Sequence, residues 1–416
     1  MAQTRSPVLP HDIVRIIIDQ LGNSHADLAS CSLVCRDWVI PSRSHLFRSL
    51  IIYSTHADGD FSTFANFMAS AGGQDVCKYI RHLKLRGGPF WLTAEARPRA
   101  SLRFLLDVVD CLPSLQELEF LWVRHPKETV DLASSMRPRR AIKKLSFRTE
   151  HDQPDDVVDI LNILGLFSDI SQLAFRGGPP DDYVPLDGTP RRLCWPGLVK
   201  IESLVICQIP TLWTPLVLHA IKQSGSLDGT LHTLTVGLQG FPKEVEALLP
   251  FFHAVAPCIQ RFCLNAISAD LATTFGFDAH EQLSVIPLEK YINLRSIILV
   301  IDDHDEPADV VEDMIGVLFH GYTHLLIRCE IIGRLEHIVF DVRCADNHTI
   351  FRLPWWNMDD LFDDIKSLRS VRVDYNEQAD FPVDDFLELI PHTRDRGILT
   401  LKPASADADW LETPFD

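Results

Sequence analysis

The chain of 416 residues carries ten cysteines but no C-x-x-C pair. Its closest pairs are Cys31/Cys35 and Cys258/Cys263, and neither lies beside a matching His/Cys cluster. That excludes the usual zinc-finger spacings. Scattered thiols of this kind read as reduced packing residues of a cytosolic or nuclear protein. No stretch approaches the roughly 18 consecutive apolar residues of a membrane span. The opening Met-Ala-Gln-Thr-Arg-Ser-Pro lacks the apolar run of a secretory leader. Catalytic signatures are missing as well: there is no G-x-G-x-x-G, no P-loop and no G-x-S-x-G. His280-Glu281 begins an H-E-x-x-H motif without its second histidine. Asp302-Asp303-His304-Asp305-Glu306 lacks the glycine and distal glutamate of a calcium loop and reads as a solvated turn. The expectation is a chain without metal, cofactor or catalytic centre.

Positive charge is scarce in one region. The net charge is −18, yet residues 1–50 sum to +1, residues 51–300 to −3 and residues 301–416 to −16. Such a field repels nucleic-acid backbones and anionic lipid and attracts basic partners. A solvated acidic face that keeps the chain soluble is the other reading. The one basic cluster, Arg137, Arg139, Arg140, Lys143 and Lys144, has no interleaved aromatics, so nucleic-acid binding is not expected.

What the chain has in abundance is one short pattern: apolar, two of any residue, apolar, one of any residue, apolar. It recurs as Phe47-Leu50-Ile52, Ile80-Leu83-Leu85, Leu115-Leu118-Phe120, Ile142-Leu145-Phe147, Ile170-Leu173-Phe175 and Ile201-Leu204-Ile206. It continues as Leu231-Leu234-Val236, Ile259-Phe262-Leu264, Leu294-Ile297-Leu299, Leu335-Ile338-Phe340 and Leu368-Val371-Val373. Central residues are 27 to 41 positions apart, the length of one supersecondary unit. Each triplet ends in the alternation of a short strand.

Helix signals fall in the gaps. Thr214-Pro215 opens a helix with a capping hydroxyl and proline in its first turn, and Gly225 closes it. Pro242 opens another. Val157, Ile160, Leu161, Leu164 and Phe167 mark a third, and Val310, Val311, Met314, Ile315 and Leu318 a fourth after Pro307. The spacing predicts an α/β solenoid with parallel strands on the concave side and helices on the convex side. Solenoids offer long binding surfaces rather than deep catalytic pockets. The string Arg-Gly-Gly-Pro follows a strand at 86–89 and at 176–179, reading as a turn or as paired ligand-touching loops.

The triplets resemble the leucine-rich repeat core, L-x-x-L-x-L, over roughly residues 47–403. The asparagine that such repeats carry three residues past the third apolar place is present only at Asn376. The resemblance therefore implies an irregular leucine-rich-repeat solenoid with uneven curvature.

Residues 6–50 differ in kind. Pro10 suits the first helical position, Asp12 the positive end of the helix dipole, and Gly22 the stop. At about 100° per residue from Ile13, Val14 falls at about 100°, Ile16 at about 300°, Ile17 at about 40°, Ile18 at about 140° and Leu21 at about 80°. The apolar arc is about twice the width a one-sided surface helix needs. This helix must be covered on two sides. A second helix, opened by Ser24-x-x-Asp27, carries Leu28, Leu33, Val34 and Trp38, and Pro41 stops it. Some forty residues can rarely bury so much apolar surface internally, and the remainder marks a partner site.

Leu9-Pro10-His11-Asp12-Ile13-Val14, then Leu28, Leu33-Val34-Cys35-x-x-Trp38 and Phe47, resemble an F-box, with Asp12 where glutamate is commoner. With the repeats behind it, the whole resembles the large F-box families of mushroom-forming fungi. The resemblance implies three short helices that insert into a Skp-type adaptor, itself joined to a cullin and a RING subunit in an SCF ubiquitin ligase. Leu9, Pro10, Ile13, Val14, Ile17, Leu33, Val34, Cys35 and Trp38 are then its interface and core. A small helical cap on the first repeat is the other reading of this segment.

Two features near the end suit target binding. Asp360, Asp363 and Asp364 follow Asp359 on one helix, an acidic patch for a basic partner or a plain solvated face. Trp355 and Trp356 are adjacent and cannot both point inward easily; an exposed one would anchor a partner. The expected organisation is an adaptor-binding module at 6–50, a solenoid at 51–403 and an acidic tail at 404–416. The expected function is a non-catalytic substrate receptor of a cullin-RING ubiquitin ligase. A repeat scaffold that binds partners without ubiquitylation is the alternative.

Overall fold

The computed structural model describes residues 9–22, 24–54, 61–87, 99–124, 139–149, 157–177, 199–207, 209, 213–238, 242–266, 283–301, 308–330, 333–342, 347–377 and 381–404. Residues 302–306, His280-Glu281, the second half of each Arg-Gly-Gly-Pro string and the residues after 404 lie outside them. Twelve strands form one parallel sheet whose order follows the sequence from β1 to β12. The chain divides into two compact units, residues 1–169 with 188–196, and residues 170–187 with 197–416.

The first unit opens with three helices, α1 (His11–Gln20), α2 (His25–Cys31) and α3 (Arg36–Leu46). Then come β1 (Ser49–Tyr53), α4 (Ser62–Ala69), α5 (Ala71–Cys77), β2 (His82–Arg86), α6 (Leu102–Cys111), β3 (Glu117–Leu121), β4 (Arg140–Thr149) and α7 (Val157–Leu164). The register is that of the sequence pattern. Leu50, Leu83, Leu118 and Leu145 stand side by side, as do Ile52, Leu85, Phe120 and Phe147. Phe120 and Phe147 stack with ring centroids 5.2 Å apart. The apolar residue that opens each triplet is buried at Ile80, Leu115 and Ile142. Each such side chain contributes roughly 1.5–3 kcal/mol.

Strand β5 is Phe167–Gly177. The second unit continues with β6 (Lys200–Cys207), α8 (Thr214–Gln223), β7 (Thr233–Leu238), α9 (Pro242–Val255), β8 (Arg261–Ala266), β9 (Ser296–Ile301) and α10 (Ala308–Glu330). It ends with β10 (His337–Val342), α11 (Asn347–Arg352), α12 (Trp355–Asp364), β11 (Ser370–Asn376), α13 (Val383–Leu389), α14 (Pro391–Asp395) and β12 (Leu399–Ala404). One column runs Leu204, Leu234, Phe262, Ile297, Ile338, Val371 and Leu399 without a slip. Helices pack on the face that carries these residues: Phe252 of α9 meets Phe262, and Phe319 of α10 meets Phe340 and Trp355. Tyr322 of α10 is buried; its hydroxyl donates to Val300 O at 2.8 Å and accepts from Ala266 N–H at 3.3 Å.

Five details depart from the sequence expectation. Phe167 opens β5 instead of continuing the apolar stripe of α7. Pro10 is the residue before α1 rather than its first; its carbonyl accepts from Ile13 and Val14 N–H. Pro41 does not stop a helix: residues 32–35 break the chain between α2 and α3, and Pro41 lies buried inside α3. Trp38 and Leu46, on either side of it, pack on the cluster Val14, Ile18 and Leu28, so tertiary packing offsets the lost backbone hydrogen bond. Thr214 caps nothing; Trp213 holds the capping position and Thr214 is buried. Strand β12 is a twelfth repeat that the apolar pattern skips. Its first apolar place is Arg396, whose guanidinium donates to Leu368 O at 3.0 Å and to Phe362 O. Its third-column partner is Leu401, and Pro403 stands two residues further, opposite Tyr375.

Candidate functional site

The N-terminal helices show which apolar side chains are spare. On α1, Val14 and Ile18 are buried and Leu21 half-buried; with Leu28 they form the module's core, and Cys31, Trp38 and Leu46 pack against it. The opposite stripe is bare. Leu9, Ile13 and Ile16 are exposed, and Ile17 is half-buried. The two-sided helix is thus covered on one side only. The turn between α2 and α3 adds Leu33 at 86% and Val34 at 63% exposure, with Cys35 exposed beside them. Pro10 is exposed, and α3 contributes exposed Ile40. Of the nine residues singled out in sequence, Val14 therefore belongs to the core, Ile17 and Trp38 are half-buried, and the other six face solvent. Ile16 and Ile40 join the surface, which the sequence resemblance did not include. Beside it, His45 Nε2 lies 2.9 Å from Asp19 Oδ1, tying α3 to α1. These two residues, with Arg15, Ile40, Arg48 and Arg81, line a cavity of about 350 Å³.

Near the other end of the chain, the paired tryptophans part. Trp355 is buried among Phe319, Phe340 and Phe386, and its indole N–H donates to Ile350 O at 2.7 Å. It is therefore a core residue rather than a surface anchor. Trp356 is 64% exposed on α12. The acids on α12 also divide. Asp359, fully buried, accepts from His392 N–H and Thr393 N–H at 2.7 Å each and from the Thr393 hydroxyl, so it holds the start of α14. Exposed Asp360 faces His392 at 3.8 Å, and exposed Asp363 faces Lys366 and Arg396 at 3.9 Å. Asp364 is exposed and has no ion pair among the described residues.

The sheet face opposite the apolar columns differs along the chain. In the first unit it is charged and largely solvated, although Leu121 and Ser146 on it are buried. Lys84 Nζ lies 2.9 Å from Glu119 across β2 and β3, and His82 lies 3.5 Å from Glu117. Burial first, then the nearby Arg48 and Arg81 cations, lower the His82 pKa, and Glu117 opposes that shift. Ile51 and Tyr53 of β1 are about half exposed. In the middle of the second unit the same face is buried, with every residue of β7 and β9 inaccessible, whereas Ser370 and Arg372 of β11 are half-buried and Thr400 and Lys402 of β12 are exposed. Cys263, Ile298, Val300 and Val339 form an apolar cluster there. A sheet covered on both faces is the norm for parallel strands. The uninterrupted apolar run Ile297-Ile298-Leu299-Val300-Ile301 was the sequence signal for it. An open binding face along the whole repeat array is thus not what this unit presents.

One backbone conformation stands out. Trp122, just past β3, has φ of +57°, the one positive φ at a residue other than glycine among the described residues. A left-handed conformation costs a bulky side chain roughly 1–2 kcal/mol. Trp122 N–H donates to Arg148 O at 3.1 Å, which fixes the turn. The Arg86 guanidinium lies 4.7 Å from the centre of the Trp122 ring and 5.4 Å from that of Tyr53. The Trp122 indole N–H is buried and has no hydrogen-bond partner.

Among the described residues there is no group of three His, Cys, Asp or Glu placed to hold a metal ion, and no helix long and apolar enough to cross a membrane. The sequence matches no protein-family model, and no curated protein is significantly similar to it.

Proposed function

We propose that this chain is the substrate-recognition subunit of an SCF-type cullin-RING ubiquitin ligase. Its N-terminal module docks on a Skp-type adaptor, and the repeats hold a protein target. The supporting observation is the second apolar stripe of α1, which is exposed, as are Leu33, Val34 and Ile40 of the same module. Leu9, Ile13, Ile16, Leu33, Val34 and Ile40 together expose the equivalent of about three and a half whole side chains, worth roughly 5–11 kcal/mol if covered. Association costs roughly 4–15 kcal/mol, so this face carries a complex only when most of it is covered at once. A Skp-type adaptor is the partner that the F-box resemblance names for such a face.

In this reading the chain performs no chemistry. It raises the effective concentration of a target lysine near a ubiquitin carrier held by other subunits. The test is co-purification of the full chain with a Skp-type adaptor, wild type beside Leu33→Asp. Stoichiometric binding that the variant loses while keeping its melting temperature supports the reading. Failure of folded wild-type protein to bind reduces the module to a cap on the first repeat. Adaptor binding without ubiquitylation of any bound target leaves the scaffold reading instead.

A further inference from the structure

We propose that the open face of β1–β4 is a docking surface for an acidic peptide segment, read by Arg86 with Arg148 beside it. This deepens the reading that the repeats hold a protein target, but it needs no adaptor. The face carries four permanent cations, Lys84, Arg86, Lys144 and Arg148, against two carboxylates, Glu117 and Glu119. Lys84 is already paired with Glu119. Arg86 and Arg148 have no carboxylate partner among the described residues, and Arg148 is exposed.

Arg86 is prepared for a ligand rather than left loose. Its guanidinium lies over the rings of Tyr53 and Trp122, which hold it in place by cation–π contact. The edges carry the N–H donors, and these are what a carboxylate takes two at a time. Holding the group in advance removes the rotamer entropy that a free arginine would lose on binding. The arrangement depends on Trp122, which reaches Arg86 from a backbone conformation that only the surrounding turn makes tolerable. Strain of this kind concentrates at ligand clamps. Tyr53, Arg86, Leu121 and Arg148 share one register row. Arg86 and Arg148 are therefore two strands apart, about 10 Å. An extended peptide rises about 3.3–3.6 Å per residue, so the matching ligand carries acids three residues apart. The surface thus fits an acidic target, opposite to the basic one that the charge of residues 301–416 suggests.

The test is selection of a random 12-residue phage-displayed peptide library on the immobilised full chain at low and at physiological salt. The expected result is enrichment of acidic sequences with acid-x-x-acid spacing. A synthetic peptide from that pool should bind about tenfold more weakly to Arg86→Gln and to Trp122→Gly. The glycine variant removes the ring while accepting the left-handed backbone, so it keeps the fold; a thermal melt verifies both variants. No enrichment, enrichment of basic or neutral peptides, or unchanged affinity in the folded variants overturns the proposal. So does tighter binding of a single-stranded oligonucleotide than of any peptide. Co-purification with the adaptor is unaffected by these variants, so loss of this inference and loss of the ligase reading are separately visible.

Discussion

Removing the Asp359 carboxylate should unfasten the end of the repeat array without unfolding its middle. Asp359 is fully buried and receives three donors from the start of α14. His392 is exposed, so its N–H regains water in Asp359→Ala. Thr393 is fully buried, and both its N–H and its hydroxyl lose their acceptor. A buried donor left unsatisfied costs roughly 1–3 kcal/mol, so the two together cost about 2–4 kcal/mol after partial relaxation. Repeat arrays gain stability from neighbour to neighbour, so the cost should fall on α14 and β12, at one end. Hydrogen exchange followed by mass spectrometry reads this directly. Amides of 391–404 should exchange about 30- to 1,000-fold faster, the equivalent of that loss at about 1.4 kcal/mol per decade. Asp359→Asn should recover part of it, because one amide oxygen still accepts. Amides of β7 and β8 should be unchanged. Exchange in 391–404 that stays within about threefold of wild type, or a loss of protection spread evenly over the second unit, would refute the reasoning.

Other outcomes follow from the same geometry. Ile18→Ala, in the core of the N-terminal module, should cost about 2–5 kcal/mol in denaturant unfolding of that module, whereas Leu33→Ala should change stability by less than about 0.5 kcal/mol. Equal effects would mean that the exposed stripe is packed in solution. Tyr322→Phe should cost about 1–3 kcal/mol, because Ala266 N–H and Val300 O lose a buried partner; a variant as stable as wild type would show that water replaces the hydroxyl. Asp374, buried beside Asp341 across β10 and β11, has its pKa raised, chiefly by burial, although Arg372 Nε lies 2.9 Å from its Oδ1. A carboxyl whose folded pKa exceeds its unfolded value gives stability that is complete below the unfolded pKa and lost as pH rises through the folded one. Asp374→Asn should therefore raise the unfolding midpoint at pH 7 and lose that advantage below about pH 4; destabilisation at pH 7 would mean that the Arg372 contact outweighs desolvation.

The repeat architecture was legible because register depends on a local pattern. Each of the eleven triplets lies at one strand, and the columns align without a slip from β1 to β4 and again from β6 to β11 even though the spacing varies. Extra length is taken up between strands, where it costs only slowly growing loop entropy. The twelfth strand was hidden because Arg396 fills an apolar place by bonding to carbonyls instead of packing. Pro41 misled because local propensity ends a helix there while the packing of Trp38 and Leu46 continues it. The periodicity of α1 called for two covered sides, of which the fold covers one; only the fold could say that Val14 and Ile18 face inward and Ile13 and Ile16 outward. Trp355 and Trp356 were alike in sequence and opposite in burial. The clamp on Arg86 left no trace in the pattern, since it brings together residues from β1, β2 and the turn after β3 and rests on one backbone angle.

A sheet built by repetition has no internal reason to stop, since each strand offers the next a complete row of donors and acceptors. Strand β12 supplies the reason. Pro403 lacks the amide hydrogen that another strand would need, and exposed Lys402 beside it puts a charge on the flank. Two copies of this chain meeting edge to edge at that end would forfeit a hydrogen bond and crowd like charges. Pro403→Val would return to that edge the donor that another strand needs.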